Sequence, residues 1–355
     1  MTTPRLVYFD WTDPAAQEIL HPEDVEVCQL DLFGDVDVNW QALRRAHGYQ
    51  ALIRTEAVRR PGTGTSWLPS ADFIDGCKEL LAVATAGAGY DVVDVEAATD
   101  AGIIVCNNTG PGREAVAEHA LGLMLALCKK IVLADRNLRS GSVENRSLLK
   151  GTELAGKTVG IVGIGNIGAR LAEMCRMAFG MEVLAYDPFL TSAAVAERGA
   201  VGVSFDELLS RSDFVVATCP LTAETKGLFA REAFAAMKET AFFVTTARGE
   251  VHDEVDLFVA LTHDQIAGAG LDVFHVEPPP PNTPLLKLDN VVATPHVAGI
   301  TAEATRALAE STARQWLEIF SGRVPAGLVN PQAWGLYSSR FESVFGRRPD
   351  PLPEA

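Results

Sequence analysis

The sequence lacks several features that would assign it to a particular compartment or ligand class. Its six cysteines are scattered singly through apolar stretches, so neither a metal-binding cluster nor a disulfide framework is predicted. No apolar run approaches the roughly 20 residues that a membrane-spanning helix needs. The N-terminus has no basic segment followed by an apolar stretch of the kind that directs secretion. We therefore expect a cytoplasmic protein whose cysteines are reduced.

Positive charge is also scarce. The chain carries 30 Lys and Arg against 46 Asp and Glu, which gives a formal net charge of −16. A field of that sign repels phosphate backbones and anionic lipid, so binding to nucleic acid or to a membrane surface is not expected. A small anionic substrate is still compatible with this charge, because it needs only one local basic site. The length of 355 residues predicts two domains.

Short β-branched runs alternate with helical stretches along most of the chain, which predicts an α/β fold with parallel sheets covered by helices. After Asn330 the sequence becomes rich in proline, arginine and aromatic residues, and we interpret this part as a tail that is partly disordered at its end. The predicted strands are 6–9, 25–30, 51–53, 81–84, 103–106, 158–162, 183–186, 214–217, 241–245, 266–269 and 291–293. The predicted helices include 114–134, 167–179, 205–210, 254–261 and 302–320.

The strongest local pattern is a glycine-rich turn between an apolar strand and a helix. Gly163, Gly165 and Gly168 follow the predicted strand 158–162. In this context the first glycine allows a tight turn, the second lets the backbone approach a pyrophosphate, and the third lets helix and strand pack closely. Asp187 ends the next strand, where an acidic residue binds the ribose hydroxyls of NAD and would repel the 2′-phosphate of NADP. We expect NAD as the cofactor; the alternative is a purely structural glycine turn.

Three further polar residues, Arg248, Glu277 and His296, each come shortly after a predicted strand. In open parallel sheets, ligands bind outside the carboxyl ends of the strands. Hydride transfer to a 2-oxo acid needs a proton donor to the carbonyl oxygen, which suits histidine near neutral pH. A carboxylate stabilises the charged imidazole, and an arginine can hold the substrate carboxylate. Taken singly, the three could instead be a surface ion-pair partner, a solvated loop carboxylate and a turn histidine.

Together these segments resemble the motifs of the D-isomer-specific 2-hydroxyacid dehydrogenases, most closely the phosphoglycerate dehydrogenase-like and hydroxypyruvate/glyoxylate reductase-like members. The resemblance extends over about residues 51–330. It implies two Rossmann-like, doubly wound parallel-sheet domains with a cleft between them. Residues 1–106 and 298–335 would form a discontinuous substrate domain, 107–297 the NAD-binding domain, and 336–355 a C-terminal tail.

The resemblance also implies a role for individual residues. His296 would be the acid/base, Glu277 its partner and Arg248 the anchor of the substrate. Asp272 would approach the nicotinamide carboxamide. The expected cofactor-binding residues are Gly163, Gly165, Asn166, Ile167, Gly168, Asp187, Cys219, Pro220, Thr246, Ala247, Asp272, His296 and Gly299.

A second glycine-rich turn, which includes Gly87, Ala88 and Gly89, resembles the loop that binds the substrate carboxylate through its amides. The alternative is a structural turn that needs no ligand. Arg54 matches a position where phosphoglycerate-specific members use arginine, and Arg113 is the charged neighbour of Gly112. Either arginine could contact a phosphate, a second carboxylate or nothing.

Three residues near the start of the long predicted helix have no function assigned from the sequence. Gly112 stands where many members of the family have asparagine, so the substrate of those members cannot be assigned directly to this chain. Glu118 and His119 lie in an apolar helix, and we interpret both as structural.

The resemblance implies NAD-dependent reduction of a small 2-oxo acid such as hydroxypyruvate or glyoxylate. A short-form D-3-phosphoglycerate dehydrogenase is the alternative, since no regulatory domain is expected after Asn330. A NAD-binding scaffold of the corepressor kind is a more remote one. Members of the family commonly dimerise through the NAD domain, so we expect a homodimer that uses the helix after Asn107 and the segment 136–150.

Overall fold

The computed structural model describes residues 2–9, 13–21, 23–51, 67–143 and 145–353. The chain divides into two compact units, which we call the first unit (Met1–Gly112 with Ala302–Ala355) and the second unit (Arg113–Thr301). The predicted boundaries after residues 106 and 297 lie a few residues earlier in the sequence than this division. Within the described residues, no helix is both long and apolar enough to cross a membrane.

The first unit contains a five-stranded parallel sheet in the order β2-β1-β3-β4-β5. This is one of the two common orders of doubly wound folds, and its switch point lies between β1 and β3. The strands are β1 (Arg5–Tyr8), β2 (Glu26–Gln29), β3 (Gly48–Ala51), β4 (Ala82–Thr85) and β5 (Ile104–Cys106). The helices of its N-terminal part are Ala15–Ile19, Val36–Leu43, Ala71–Gly76 and Val95–Asp100.

Strand β3 begins earlier than the predicted strand 51–53, and the remainder of that prediction lies outside the described residues. The shift arises because Gly48 and Gln50 do not have the apolar, β-branched character on which the prediction depends. Gly48 is needed for packing instead, since a Cβ atom there would lie 2.5 Å from the ring of Trp316.

Two helices from the C-terminal part of the chain, Ala302–Ser321 and Trp334–Phe345, complete the core of the first unit. The prediction of a C-terminal tail therefore does not hold for the part up to Phe345. Trp334, Tyr337 and Phe341 recur every three to four residues and form an apolar stripe, and all three are buried. Proline and arginine in the surrounding sequence obscured this periodicity.

The second unit contains a seven-stranded parallel sheet in the order β12-β11-β10-β9-β6-β7-β8. This order reverses between β6 and β9, which is where a dinucleotide binds in Rossmann folds. The predicted α/β fold is thus confirmed. The strands are β6 (Thr158–Val162), β7 (Glu182–Tyr186), β8 (Val201–Gly202), β9 (Phe214–Ala217), β10 (Phe242–Thr245), β11 (Gly268–Leu271) and β12 (Val291–Ala293).

The long predicted helix 114–134 is two helices, Arg113–Cys128 and Ile131–Ser140. The break occurs at Lys130, whose φ is +53°, in the left-handed region that ends a helix. The apolar pattern continues across the break and therefore gave no signal of it. The other helices of the second unit are Asn166–Phe179, Ser192–Glu197, Phe205–Arg211, Arg231–Ala236 and Glu254–Thr262.

Candidate active site

The glycine-rich turn follows β6 and lies against the end of β9. Gly163 has φ of +87°, and a Cβ atom there would lie 2.7 Å from the Cα atom of Cys219. A Cβ atom on Gly168 would lie 2.4 Å from the carbonyl oxygen of Gly163, so both positions require glycine. By contrast, a Cβ atom on Gly165 would meet no protein atom within 4 Å. Gly165 precedes helix Asn166–Phe179 and has no side chain to cap the first amides, so within the described part of the chain these amides can bind an anion on this open side.

Asp187 directly follows β7 and lies beside this turn, as predicted. Its Oδ2 atom accepts a hydrogen bond from the amide of Ile164 at 3.2 Å, and its Oδ1 atom accepts one from Phe189 at 3.1 Å. A cavity of about 320 Å³ adjoins Asp187. Its two charged lining residues, Asp187 and Glu207, are both acidic, which disfavours an additional phosphate group.

The ends of β9 and β10 supply further polar groups next to the turn. The Thr218 hydroxyl donates to the carbonyl oxygen of Gly163 at 2.6 Å, which ties β9 to the turn. Burial raises the pKa of the Cys219 thiol to about 11, so this side chain stays protonated near neutral pH. The Thr246 hydroxyl is buried and has no hydrogen-bond partner among the described residues. An unpartnered hydroxyl, the open side of Gly165 and the carboxylate of Asp187 together suit a bound dinucleotide.

Glu277 and His296 form a direct pair. Oε2 of Glu277 lies 2.6 Å from Nδ1 of His296, and its Oε1 atom accepts a hydrogen bond from the amide of Phe274 at 3.1 Å. The carboxylate is thereby oriented from both sides. The His296 side chain is 32% exposed, so its ring is reachable from solvent. Since Nδ1 is engaged by Glu277, Nε2 is the nitrogen left for proton transfer to a ligand.

Asp272 is buried behind this pair, immediately after β11. Its side chain is 1% exposed, and its carboxylate accepts hydrogen bonds from the loop that carries His296. The backbone of His296 itself has φ of +54°. The sequence indicated Asp272 through the resemblance only, and it gave no reason to expect the left-handed conformation of His296.

Arg248 comes shortly after β10 and is partly buried. Its Nη1 atom donates to the carbonyl oxygen of Ala247 at 2.7 Å. The next residue, Gly249, packs so closely on Phe274 that a Cβ atom would lie 2.1 Å from the backbone of that residue. The strands β10, β11 and β12 are neighbours in the sheet. Arg248, Glu277 and His296 therefore follow the carboxyl ends of three adjacent parallel strands.

Apart from Arg248, the substrate residues suggested by the sequence belong to the first unit or to its boundary with the second. The carbonyl oxygen of Gly87 accepts hydrogen bonds from Asn108 N and from the Thr85 hydroxyl, and that of Ala88 accepts one from the Asn107 side chain. These bonds fix the turn after β4, but no described residue accepts from the amides of Gly87, Ala88 or Gly89. Arg54 lies outside the described residues, and Arg113 begins the helix Arg113–Cys128.

His119 and Thr294 contact Asp272, although the sequence motifs do not place them in the site. The Nε2 atom of His119 lies 2.9 Å from the Thr294 hydroxyl and 3.6 Å from Oδ1 of Asp272. The apolar character of its helix indicates a structural role for His119, so the sequence alone does not reveal this contact. The available signal was the position of Thr294, two residues before His296.

Comparison with known proteins agrees with this arrangement. Residues 121–298 match the family described as "D-isomer specific 2-hydroxyacid dehydrogenase, NAD binding domain". The chain is 40% identical over 265 residues to a glyoxylate reductase of Korarchaeum cryptofilum, covering 74% of this chain and 80% of that one. It is 44% identical over 234 residues to a D-3-phosphoglycerate dehydrogenase of Archaeoglobus fulgidus, covering 66% of this chain but only 44% of that longer protein.

Among solved structures, the fold is similar to that of the TT0316 protein from Thermus thermophilus. The TM-score is 0.79 at 31% sequence identity, with 92% of this chain and 99% of the other chain covered. The likeness therefore extends over nearly the whole chain.

Proposed function

Because the chain belongs to the D-isomer-specific 2-hydroxyacid dehydrogenases, we propose that it is an NAD-dependent reductase of small 2-oxo acids such as hydroxypyruvate or glyoxylate. The observation that carries the proposal is the hydrogen-bonded pair of Glu277 and His296 at 2.6 Å. This pair follows β11 and β12 at the carboxyl edge of the sheet, the edge where the glycine-rich turn also lies. A protein that only bound the nucleotide would have no need of an acid/base pair there.

In this proposal His296 acts as the acid/base. In the direction of reduction its Nε2 donates a proton to the oxygen of the substrate carbonyl, and in the opposite direction it accepts one. Glu277 stabilises the charged imidazole and fixes the ring through Nδ1. Arg248 supplies fixed N–H donors that hold the substrate carboxylate.

The nicotinamide cofactor would be held by the second unit; when bound, NADH would supply the hydride in the direction of reduction and NAD would accept it in the opposite direction. The amides at the start of helix Asn166–Phe179 are suited to the pyrophosphate, and Asp187 to the ribose hydroxyls. The acidic lining of the cavity beside Asp187 favours NADH over NADPH. We assign cofactor contacts to Gly163, Gly165, Asn166, Ile167, Gly168, Asp187, Cys219, Pro220, Thr246, Ala247, Asp272, His296 and Gly299.

In the first unit, we assign binding of the substrate carboxylate to the turn of Gly87, Ala88 and Gly89. Support comes from the direction of its hydrogen bonds, because described residues bind the carbonyls of Gly87 and Ala88 and leave the amides as donors. Arg54 stays a candidate contact for a phosphorylated or dicarboxylic substrate.

The second candidate is a short-form D-3-phosphoglycerate dehydrogenase. It is favoured by the 44% identity to the Archaeoglobus relative, which carries that name and of which this chain spans less than half. The two candidates differ in the substrate group beyond the 2-oxo acid, so a panel of substrates separates them.

The test is NADH oxidation by the purified protein with glyoxylate, hydroxypyruvate, pyruvate, 3-phosphohydroxypyruvate and a branched 2-oxo acid, each repeated with NADPH. We expect turnover with hydroxypyruvate or glyoxylate and a preference for NADH. A strong preference for 3-phosphohydroxypyruvate would favour the second candidate. Absence of turnover with every acid, together with measurable NADH binding, would contradict both and favour a NAD-binding scaffold.

We also propose that the protein is a cytoplasmic homodimer formed through the second unit. Helix Ile131–Ser140 contains no buried residue, although it carries Ile131 and Leu138, which are 54% and 72% exposed. This helix lines a cavity of about 660 Å³ at the amino ends of β9, β10 and β12, away from the candidate active site. A second copy would cover these apolar side chains. Light scattering should then give twice the 38.0 kDa of the chain, and Leu138→Glu should give the monomer mass.

A further inference from the structure

One buried residue, Asp272, accepts hydrogen bonds from successive amides of the loop that carries His296. The amide of His296 donates to the carbonyl oxygen of Asp272 at 2.7 Å. The amides of Val297 and Ala298 donate to Oδ1 and Oδ2 of the same residue, both at 2.9 Å. Three successive amides thus converge on Asp272. This arrangement accounts for the φ of +54° at His296, a conformation that non-glycine residues rarely adopt unless their surroundings impose it.

The carboxylate of Asp272 needs hydrogen-bond donors to stabilise its charge, because the side chain is only 1% exposed. The Thr294 hydroxyl donates to Oδ1 at 2.6 Å. A hydroxyl has one proton, so Thr294 Oγ1 acts as the acceptor in its 2.9 Å contact with Nε2 of His119. Nε2 of His119 therefore carries a proton, and it points toward the carboxylate, 3.6 Å from Oδ1.

We propose that His119 is a positioning residue for the acid/base His296 and acts through Thr294 and Asp272. The inference rests on the proposed hydride-transfer function and adds a residue that this function does not itself require. His119 belongs to helix Arg113–Cys128, which packs on β10, β11 and β12. The ring N–H of His119 orients the Thr294 hydroxyl toward Asp272, and Asp272 then keeps the His296 loop in its left-handed conformation.

Loss of the His119 donor leaves the Thr294 hydroxyl free to rotate away from Asp272. The carboxylate then holds the three amides less firmly, and the imidazole of His296 samples positions from which proton transfer is slow. Small misplacements of a catalytic group reduce the rate of the chemical step more than they reduce binding. We therefore expect kcat to fall while the KM values for NADH and the 2-oxo acid change little.

Two pairs of variants test this inference. His119→Phe keeps a ring but removes the donor, whereas His119→Gln keeps an N–H donor at a similar distance from the backbone. Thr294→Val removes the hydroxyl, whereas Thr294→Ser retains it. Glu118→Gln changes an exposed neighbour on the same helix and is the matched control. For each variant, kcat and KM are measured together with hydrogen exchange of the amides of Val297 and Ala298.

We expect His119→Phe and Thr294→Val to lower kcat by about tenfold and to speed exchange of these amides by a similar factor. His119→Gln, Thr294→Ser and Glu118→Gln should stay close to the wild type in both measurements. Wild-type kcat and exchange in His119→Phe and Thr294→Val would overturn the inference. So would a loss that the conservative variants do not rescue.

Hydrogen exchange needs no substrate, so the two proposals can fail separately. If the wild-type protein reduces no 2-oxo acid, the proposed function fails, while slow exchange at Val297 and Ala298 that depends on His119 still supports the coupling. If His119→Phe does not fold, Thr294→Val tests the same hydrogen bonds from the other side.

Discussion

Oε2 of Glu277 lies 2.6 Å from Nδ1 of His296, and the other oxygen of the same carboxylate is held by the amide of Phe274. Glu277→Gln keeps the shape and the acceptor for Phe274 but removes the negative charge. Because a charge-assisted hydrogen bond is roughly twice as strong as a neutral one, we expect kcat to fall about tenfold or more. Steady-state kinetics with the best 2-oxo acid measures the effect. A wild-type kcat would show that the carboxylate charge is not used.

The second prediction concerns His296 itself. His296→Asn suits the left-handed backbone at this position, since asparagine tolerates φ of this sign, but it supplies no acid or base. We expect kcat to fall by about 10² to 10⁴. The dissociation constant of NADH, measured by fluorescence titration, should rise by a much smaller factor, because His296 is only one of the residues assigned to the cofactor. Normal turnover in this variant would remove His296 from the chemical step.

The third prediction addresses cofactor choice at Asp187. Asp187→Asn keeps an oxygen that can accept from the amide of Ile164, so the turn should remain intact. It removes the charge that repels a 2′-phosphate, so we expect the ratio of kcat/KM for NADPH to that for NADH to rise about tenfold. If both values decrease together and the ratio is unchanged, Asp187 supports the turn but does not select the cofactor.

The fourth prediction compares two glycines of the same turn. Gly163→Ala introduces a Cβ atom 2.7 Å from the backbone of Cys219 at a φ of +87°, so it should cost about 1–3 kcal/mol of stability and lower the Tm. Gly165→Ala meets no protein atom within 4 Å. Its Tm should stay near the wild-type value while NADH binding weakens, because the methyl group occupies the side open to the pyrophosphate. Equal NADH affinity in Gly165→Ala would contradict this placement of the cofactor.

The fifth prediction concerns acid stability and the buried imidazole of His252. Burial lowers the pKa of His252 from 6.5 to about 3, and neither ring nitrogen has a hydrogen-bond partner among the described residues. Between these two pH values the unfolded chain binds a proton that the folded protein does not. The contribution of neutral His252 to the free energy of unfolding is therefore expected to be fully present above pH 6.5 and to be lost toward pH 3, by up to about 1.4 kcal/mol per pH unit.

His252→Phe should reduce this dependence on pH, because phenylalanine keeps the contact with the ring of Phe243 and has no proton to bind. Urea unfolding at pH 7 and pH 5 gives the comparison, with the wild type losing more stability than the variant. An equal loss in both proteins would show that other groups govern acid sensitivity.

Much of the second unit could be predicted because its strands have a simple pattern. Strands 158–162, 214–217 and 291–293 were predicted with the bounds observed, since each is a short apolar run rich in valine or isoleucine between polar residues or turns. The polar residues that follow the strands also lie where expected, because the order of a parallel sheet fixes which edge they share. Strand β11 lies two residues later than predicted, since Gly268 and Gly270 lack the apolar, β-branched character on which the prediction depends.

The features that escaped prediction depend on contacts between distant parts of the sequence. Strand β3 contains a glycine at position 48 because the ring of Trp316 leaves no room for a side chain. The role of His119 depends on Thr294 and Asp272, which are far away in the sequence. The left-handed backbone of His296 arises in the same way. Local propensity contains none of this information.

The discontinuous first unit has a consequence for the order in which the nascent chain folds. Leu6 and Ala16 share one buried cluster with Trp316 and Phe341, from helices at the other end of the chain. The strands of the first unit leave the ribosome early but find these partners only after the entire second unit has been synthesised. The second unit is continuous in sequence and can close its own core before then. During synthesis, the apolar face of the first sheet is therefore the surface that most needs protection from aggregation.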